Sequence, residues 1–181
     1  MDIDANLLAA AKREISKGLD SKTFEKLLLK YEKLIYYISR KYFTNIDDAL
    51  DASQDTAVKI YNAILKLNMP ETGSLKAWVC TVTARTCLDT LRKKRIETAE
   101  LIDEIVTETY ASAEDTAIAN EESKKIKQVI ENLPGDYRMI IILRDMQGLS
   151  YEEIATALEI NVGTVKSRLS RARMRLRDML R

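Results

Sequence analysis

The stretch from Ser21 to Phe43 leaves the chain little choice of architecture. Phe24, Leu27, Leu28, Tyr31, Leu34, Ile35, Ile38 and Tyr42 recur at alternating spacings of three and four over some five turns, the signature of one long amphipathic helix. Strand-like alternation is absent, and five glycines and two prolines in 181 residues leave few places for the chain to turn. An all-α fold follows. A first helix is expected over about 4–17, stopped by Gly18, and a third from the acidic pair Asp47-Asp48 to about residue 67. Pro70 and Gly73 break the pattern, and Ser74 caps a fourth helix from Leu75 to about Lys94 that ends in Arg92-Lys93-Lys94-Arg95.

The segment 97–122 differs in kind. It carries nine acidic and no basic residues, with isolated hydrophobics, and is expected to be a linker, partly helical at best. It separates two blocks, 1–96 and 123–181, each with a net charge of +5, so the chain's net charge of +1 conceals two basic surfaces suited to phosphate. The expected organisation is two small helical domains, 1–96 and 123–181, joined by the acidic linker 97–122. Helices are expected in the second near 123–132, 136–147, 150–158 and 162–179.

Leu149 to Arg177 is the most informative run. Ser150 and Glu153 have capping-box spacing, and Ile154, Ala155 and Leu158 form a short apolar stripe. After the turn Glu159-Ile160-Asn161, Asn161 is placed to cap a second helix. Val165, Leu169 and Ala172 face inward on it, and Lys166, Ser167, Arg168, Ser170 and Arg171 face out. That is the layout of a helix-turn-helix whose second helix enters a DNA major groove. A plain helical hairpin with a solvated basic face has the same pattern.

Other classes lose support. With no histidine a Cys/His zinc site is excluded and no metal or other cofactor is expected. Without a glycine-rich phosphate loop or a nucleophile motif, nothing supports catalysis. Cys80 and Cys87, seven apart on one helix, are too distant to bond to each other and read as reduced core residues of a cytoplasmic protein. The N-terminus lacks a signal peptide's basic start and apolar core, and no apolar run approaches about 18 residues, so membrane insertion is not expected.

The order Leu-Pro, Leu-Arg, Gly-Leu-Ser-Tyr-Glu-Glu-Ile-Ala, Val-Gly-Thr-Val-Lys-Ser-Arg-Leu, Arg-Ala-Arg across residues 133–173 resembles region 4 of bacterial RNA polymerase sigma factors of the extracytoplasmic-function (ECF) group, in the sigma-70 superfamily. Phe24 to Arg95 is similar to region 2. The resemblance implies a specificity subunit that binds core RNA polymerase and both promoter elements. It implies minus-thirty-five contacts from Arg144, Thr164, Lys166, Ser167, Arg168 and Arg171, and phosphate or polymerase-flap contacts from Arg173, Arg175, Arg177 and Arg181. It implies minus-ten contacts from Asn68, Arg85, Thr86, Asp89, Arg92 and Lys93, and docking on the polymerase clamp coiled coil through Asp51, Gln54 and Asp55, which share one helix face. An anti-sigma factor is an implied partner.

The chain departs from the family pattern at several positions. Cys80-Thr81 stand for an aromatic-arginine pair, Arg85 for an asparagine, Leu50 for an acid, Asp55 for a glutamate, and Glu159 for the turn glycine. Trp78 could stack on a base, but a lone tryptophan in an apolar-periodic helix more often belongs to the core. The competing reading, a stand-alone helix-turn-helix regulator, leaves the acidic Asp47–Asp55 segment and the Arg92–Arg95 cluster without a role.

Overall fold

The computed structural model describes residues 3–18, 22–66, 74–101 and 121–180, and among these residues every regular element is helical. The first four helices are α1 (Ile3–Ser16), α2 (Lys22–Tyr42), α3 (Ile46–Leu65) and α4 (Leu75–Leu101). Then come α5 (Glu121–Glu131), α6 (Gly135–Ile141), α7 (Tyr151–Leu158) and α8 (Val162–Leu180).

Two boundaries differ from the sequence expectation. α4 continues past Lys94 to Leu101, because nothing between them is glycine or proline to stop it. The helix expected over 136–147 is instead α6 followed by a π-helical turn, Ile142–Met146. There Gln147 N–H reaches back to Ile142 O at 3.0 Å and Leu149 N–H to Leu143 O at 3.1 Å. Periodicity does not register a single widened turn. Of the expected linker, residues 97–101 lie in α4 and 121–122 in α5, and the remainder falls outside the described residues.

α4 is the axis of the molecule. Leu75 and Val79 pack with Leu27, Tyr31, Ile35, Ile60 and Ile64 of α2 and α3, with Trp78 and Val82 half-buried beside them. Trp78 is therefore a core-flanking residue. Another side of α4 carries Cys80, Ala84 and Cys87, whose small side chains let neighbouring helices approach closely. Those residues belong to a core that also includes Ile38 and Tyr42 of α2 and Met139, Leu143, Ile154, Val165 and Leu169 of α6 to α8. The two halves of the chain thus share one hydrophobic core.

Both cysteines are free and buried, as the spacing indicated. Burial pushes the Cys80 thiol up to about 11 and the Cys87 thiol to about 12. Buried hydroxyls on α3 and α4 are satisfied locally: Thr56 donates to Ala52 O at 2.7 Å and Thr83 to Val79 O at 2.7 Å.

The seam between the halves is pinned by Arg138, which no sequence motif singled out. Its guanidinium donates to Leu133 O at 3.1 Å and also to the carbonyls of Glu131 and Tyr42. It stacks 6.0 Å from the Tyr42 ring centroid. A cation set against the last carbonyls of α5 is where helix-end electrostatics favour one. Burial nevertheless lowers its pKa, since the guanidinium is mostly removed from water.

Candidate nucleic-acid interface

The helix-turn-helix forms as its sequence dictates. Ser150 accepts from Glu153 N–H at 3.1 Å and the Glu153 carboxylate accepts from Ser150 N–H at 2.7 Å, completing the capping box. α7 ends on Glu159 at φ 55°, ψ 42°, the left-handed region. It is the sole non-glycine residue with positive φ among the described residues. Asn161 starts α8 by accepting from Thr164 N–H at 2.7 Å and from the Thr164 hydroxyl at 2.9 Å. Val165, Leu169 and Ala172 are buried, which orients the rest of the helix outward.

On that outward face Lys166, Ser167 and Arg171 are exposed, and Thr164 is half-exposed. Ser167 donates to Thr164 O at 3.1 Å. Arg168 is paired with Asp136 at 3.1 Å, so its charge is partly answered from within the chain. Arg144 is more committed still. It donates to Leu149 O at 2.6 Å and lies 4.7 Å from the Tyr151 ring centroid, with Lys166 Nζ at 5.9 Å from the same ring. Tyr151 therefore holds both cations near the start of α7, an arrangement the sequence reading did not anticipate. Arg173 pairs with Asp145, whose hydrogen bond raises its pKa; Arg175 lies 5.1 Å from the Tyr137 ring; Arg177 is exposed. Arg181 lies outside the described residues.

The proposed minus-ten residues scatter more. Arg92 and Lys93 are exposed on α4. Asp89 is bound to Lys59 of α3 at 3.2 Å. Thr86 is 1% exposed, and its hydroxyl donates to Val82 O at 2.8 Å, so in this conformation it is a core residue and not a surface contact. Helical position could not distinguish it, because threonine suits both settings. Asn68 lies outside the described residues. Arg85 reaches across to α7: Nη2 donates to Thr156 O at 2.7 Å, Nε donates to Ala157 O at 3.1 Å, and Nη2 stands 3.3 Å from the Glu159 carboxylate.

Asp51, Gln54 and Asp55 are all exposed on one face of α3, whose start is fixed by Asn45 accepting from Asp47 N–H at 2.7 Å. Leu50 and Val58, 43% and 58% exposed, extend that face with apolar surface. Acids flanked by exposed hydrophobics give this face more apolar surface than dipole compensation alone would require.

A capped helix-turn-helix with exposed cations on its second helix has the layout of a DNA-binding transcription protein. Comparison with known proteins specifies it. The family model for sigma-70 region 2 matches residues 27–96 and that for sigma-70 region 4 matches residues 123–176. The chain is 30% identical over 164 residues to the RNA polymerase sigma-H factor of Pseudomonas aeruginosa, covering 85% of this chain and 84% of that protein. It is 26% identical over 161 residues to the ECF RNA polymerase sigma factor SigE of Mycolicibacterium smegmatis, covering 87% of this chain and 62% of that protein. Among solved structures, the sigma factor RpoE of Bartonella quintana in complex with the anti-sigma factor NepR superimposes with a TM-score of 0.72. That match has 29% identity and covers 88% of this chain and 97% of that one. The chain belongs to the ECF group of sigma-70 factors.

Proposed function

We propose that this chain is a dissociable specificity subunit that binds core RNA polymerase and directs it to promoters without catalysis of its own. Its domains are the segments 1–96 and 123–181 on either side of the acidic connector. The observation that carries the reading is the solvent face of α8, where Lys166, Ser167 and Arg171 stand clear of a helix anchored by Val165, Leu169 and Ala172. A short polar side chain among cations suits close approach to a duplex backbone with base-edge contact in the major groove, here the minus-thirty-five element. Arg92, Lys93 and, when released, Arg85 serve the minus-ten element from α4. The α3 face of Asp51, Gln54 and Asp55 docks on the polymerase clamp coiled coil, and the basic end of α8 faces the polymerase flap.

Bartonella RpoE is found with an anti-sigma factor. We extend that kind of partner to this chain, and expect it to cover both the clamp-docking face and the helix-turn-helix. No helix among the described residues is long and apolar enough to cross a membrane, and the site of action is the cytoplasm, where polymerase and DNA are.

The test is reconstitution. The purified chain is added to core polymerase, and transcription from a library of genomic fragments is sequenced. Promoter-dependent transcripts are expected, lost in the Asp51→Lys/Asp55→Lys variant at unchanged helical content. Tight DNA binding with no effect of polymerase would refute the proposal.

A further inference from the structure

The contact of Arg85 with α7 does something that neither partner does alone. A helix leaves its last carbonyls without intrahelical donors. At the end of α7, Ala155 O is taken by Glu159 N–H and by Ile160 N–H at 3.0 Å, the wrap that the left-handed Glu159 permits. Thr156 O and Ala157 O receive donors from another helix, 71 and 72 residues away in sequence, through the Arg85 guanidinium. The Glu159 carboxylate then stands 3.3 Å from the same group. Guanidinium is the one side chain with a planar fork able to serve two carbonyls and a carboxylate together. Arg85 and Glu159, distant in sequence, meet in the folded chain.

We propose that Arg85, Glu159 and the α7 carbonyls form an autoinhibitory latch that closes α4 onto the helix-turn-helix and that nucleic acid opens by competing for Arg85. The competition rests on the function proposed above. In the closed form Nε and Nη2 of Arg85 are held by α7, so nucleic acid gains that edge of the guanidinium fork only by displacing α7. Lys76, which donates to Gln147 O at 3.1 Å, and Tyr37, whose hydroxyl lies 3.7 Å from Met146 Sδ, support the same closure from neighbouring positions. None of these contacts has Arg85's combination of helix capping with an ion pair.

The chain carries its own probe. Cys80 is fully buried in the core shared by the two halves, five residues before Arg85 on α4, so opening of the seam exposes its thiol. The rate of Cys80 reaction with a disulfide reagent is measured under native conditions in a Cys87→Ala chain. Glu159→Gln and Arg85→Ala are each expected to raise that rate about two- to fivefold, as for loss of a partly exposed charged contact. Glu159→Gln added to Arg85→Ala should produce no further rise, because both act through one contact. Glu152→Gln, an exposed carboxylate on the same helix, should leave the rate unchanged. A random-sequence single-stranded 20-mer should accelerate Cys80 reaction in the parent chain and have no such effect in Arg85→Ala.

Unchanged rates in both single variants, additive effects in the double variant, or protection of Cys80 by the 20-mer would each overturn the latch. The variant series needs neither polymerase nor promoter. A chain that shows this series and yet fails to direct transcription would therefore refute the function and retain the closure.

Discussion

Tyr42 offers the sharpest test of how the seam is built. Its ring is 2% exposed, but its hydroxyl has no hydrogen-bond partner in the structure. Burial drives its pKa upward, because the charged form would be removed from water. An unsatisfied buried hydroxyl costs about 1–3 kcal/mol relative to the same group paired or in water. Tyr42→Phe removes that atom and keeps the ring that packs edge-on against Phe43 at 5.0 Å and beneath Arg138. The variant should gain about 1 kcal/mol, a rise in Tm of roughly 2–4 °C for a chain of this size. A second substitution sharpens the point. A methyl group added at Gly135 would lie 2.9 Å from the Tyr42 hydroxyl and 3.2 Å from Leu91 Cδ2. Gly135→Ala alone should lose about 1 kcal/mol, overpacking outweighing the better helix former. In the Tyr42→Phe background the nearer clash is gone, and the same change should become neutral or stabilising. Urea titration of the four chains followed by circular dichroism, with m unchanged, measures the cycle. A destabilised Tyr42→Phe would show that the hydroxyl is bonded in solution, and strict additivity would show that Gly135 is not packed against it.

Glu159→Gly relieves a left-handed residue at about 1 kcal/mol and forfeits a partly exposed ion pair with Arg85 worth about 0.5 kcal/mol. Tm should rise by about 1–2 °C, and by more in an Arg85→Ala background; a fall would mean that the turn is not strained. Arg144→Ala should lower Tm by a few degrees through loss of its bond to Leu149 O, whereas Arg171→Ala should leave Tm alone and weaken promoter-fragment binding. The reverse pattern in a melting and binding comparison would exchange their roles. The two buried thiols have folded pKa values raised from about 9 to about 11 and 12. Their protonated forms are therefore favoured by folding, and that stabilisation is complete below pH 9 and lost as pH rises toward 12. Relative to a Cys80→Ala/Cys87→Ala chain, the parent's stability should fall with a steeper slope above pH 9; parallel curves would show that the thiols are not buried in solution.

Much of the architecture was legible before any coordinate. The alternating spacing of Phe24 to Tyr42 places α2 within a residue at each end, because a continuous apolar stripe has one helical solution. Ser150, Glu153 and Asn161 mark the ends of α7 and α8, since caps act over three residues and need no distant partner. Glu159, at the turn between them, takes the left-handed geometry. Local chemistry is written locally.

What remained hidden depends on distance along the chain. Nothing near Thr86 says that its face of α4 is covered, nothing near Arg168 names Asp136, and the π turn at Ile142–Met146 leaves the apolar count unchanged. Arg85 makes the case most clearly. From the sequence it is one more outward cation on a basic helix, available to DNA. In the folded chain it is bound to Thr156, Ala157 and Glu159, because packing of α4 on α7 brings a guanidinium to carbonyls that their own helix leaves unserved. The sequence by itself determined that the chain is helical, how its helices begin and end, and which family's motifs it carries. Which of its cations are free, and which are spent holding the two halves together, was decided by tertiary packing, since an ion pair or a borrowed cap belongs to two segments at once.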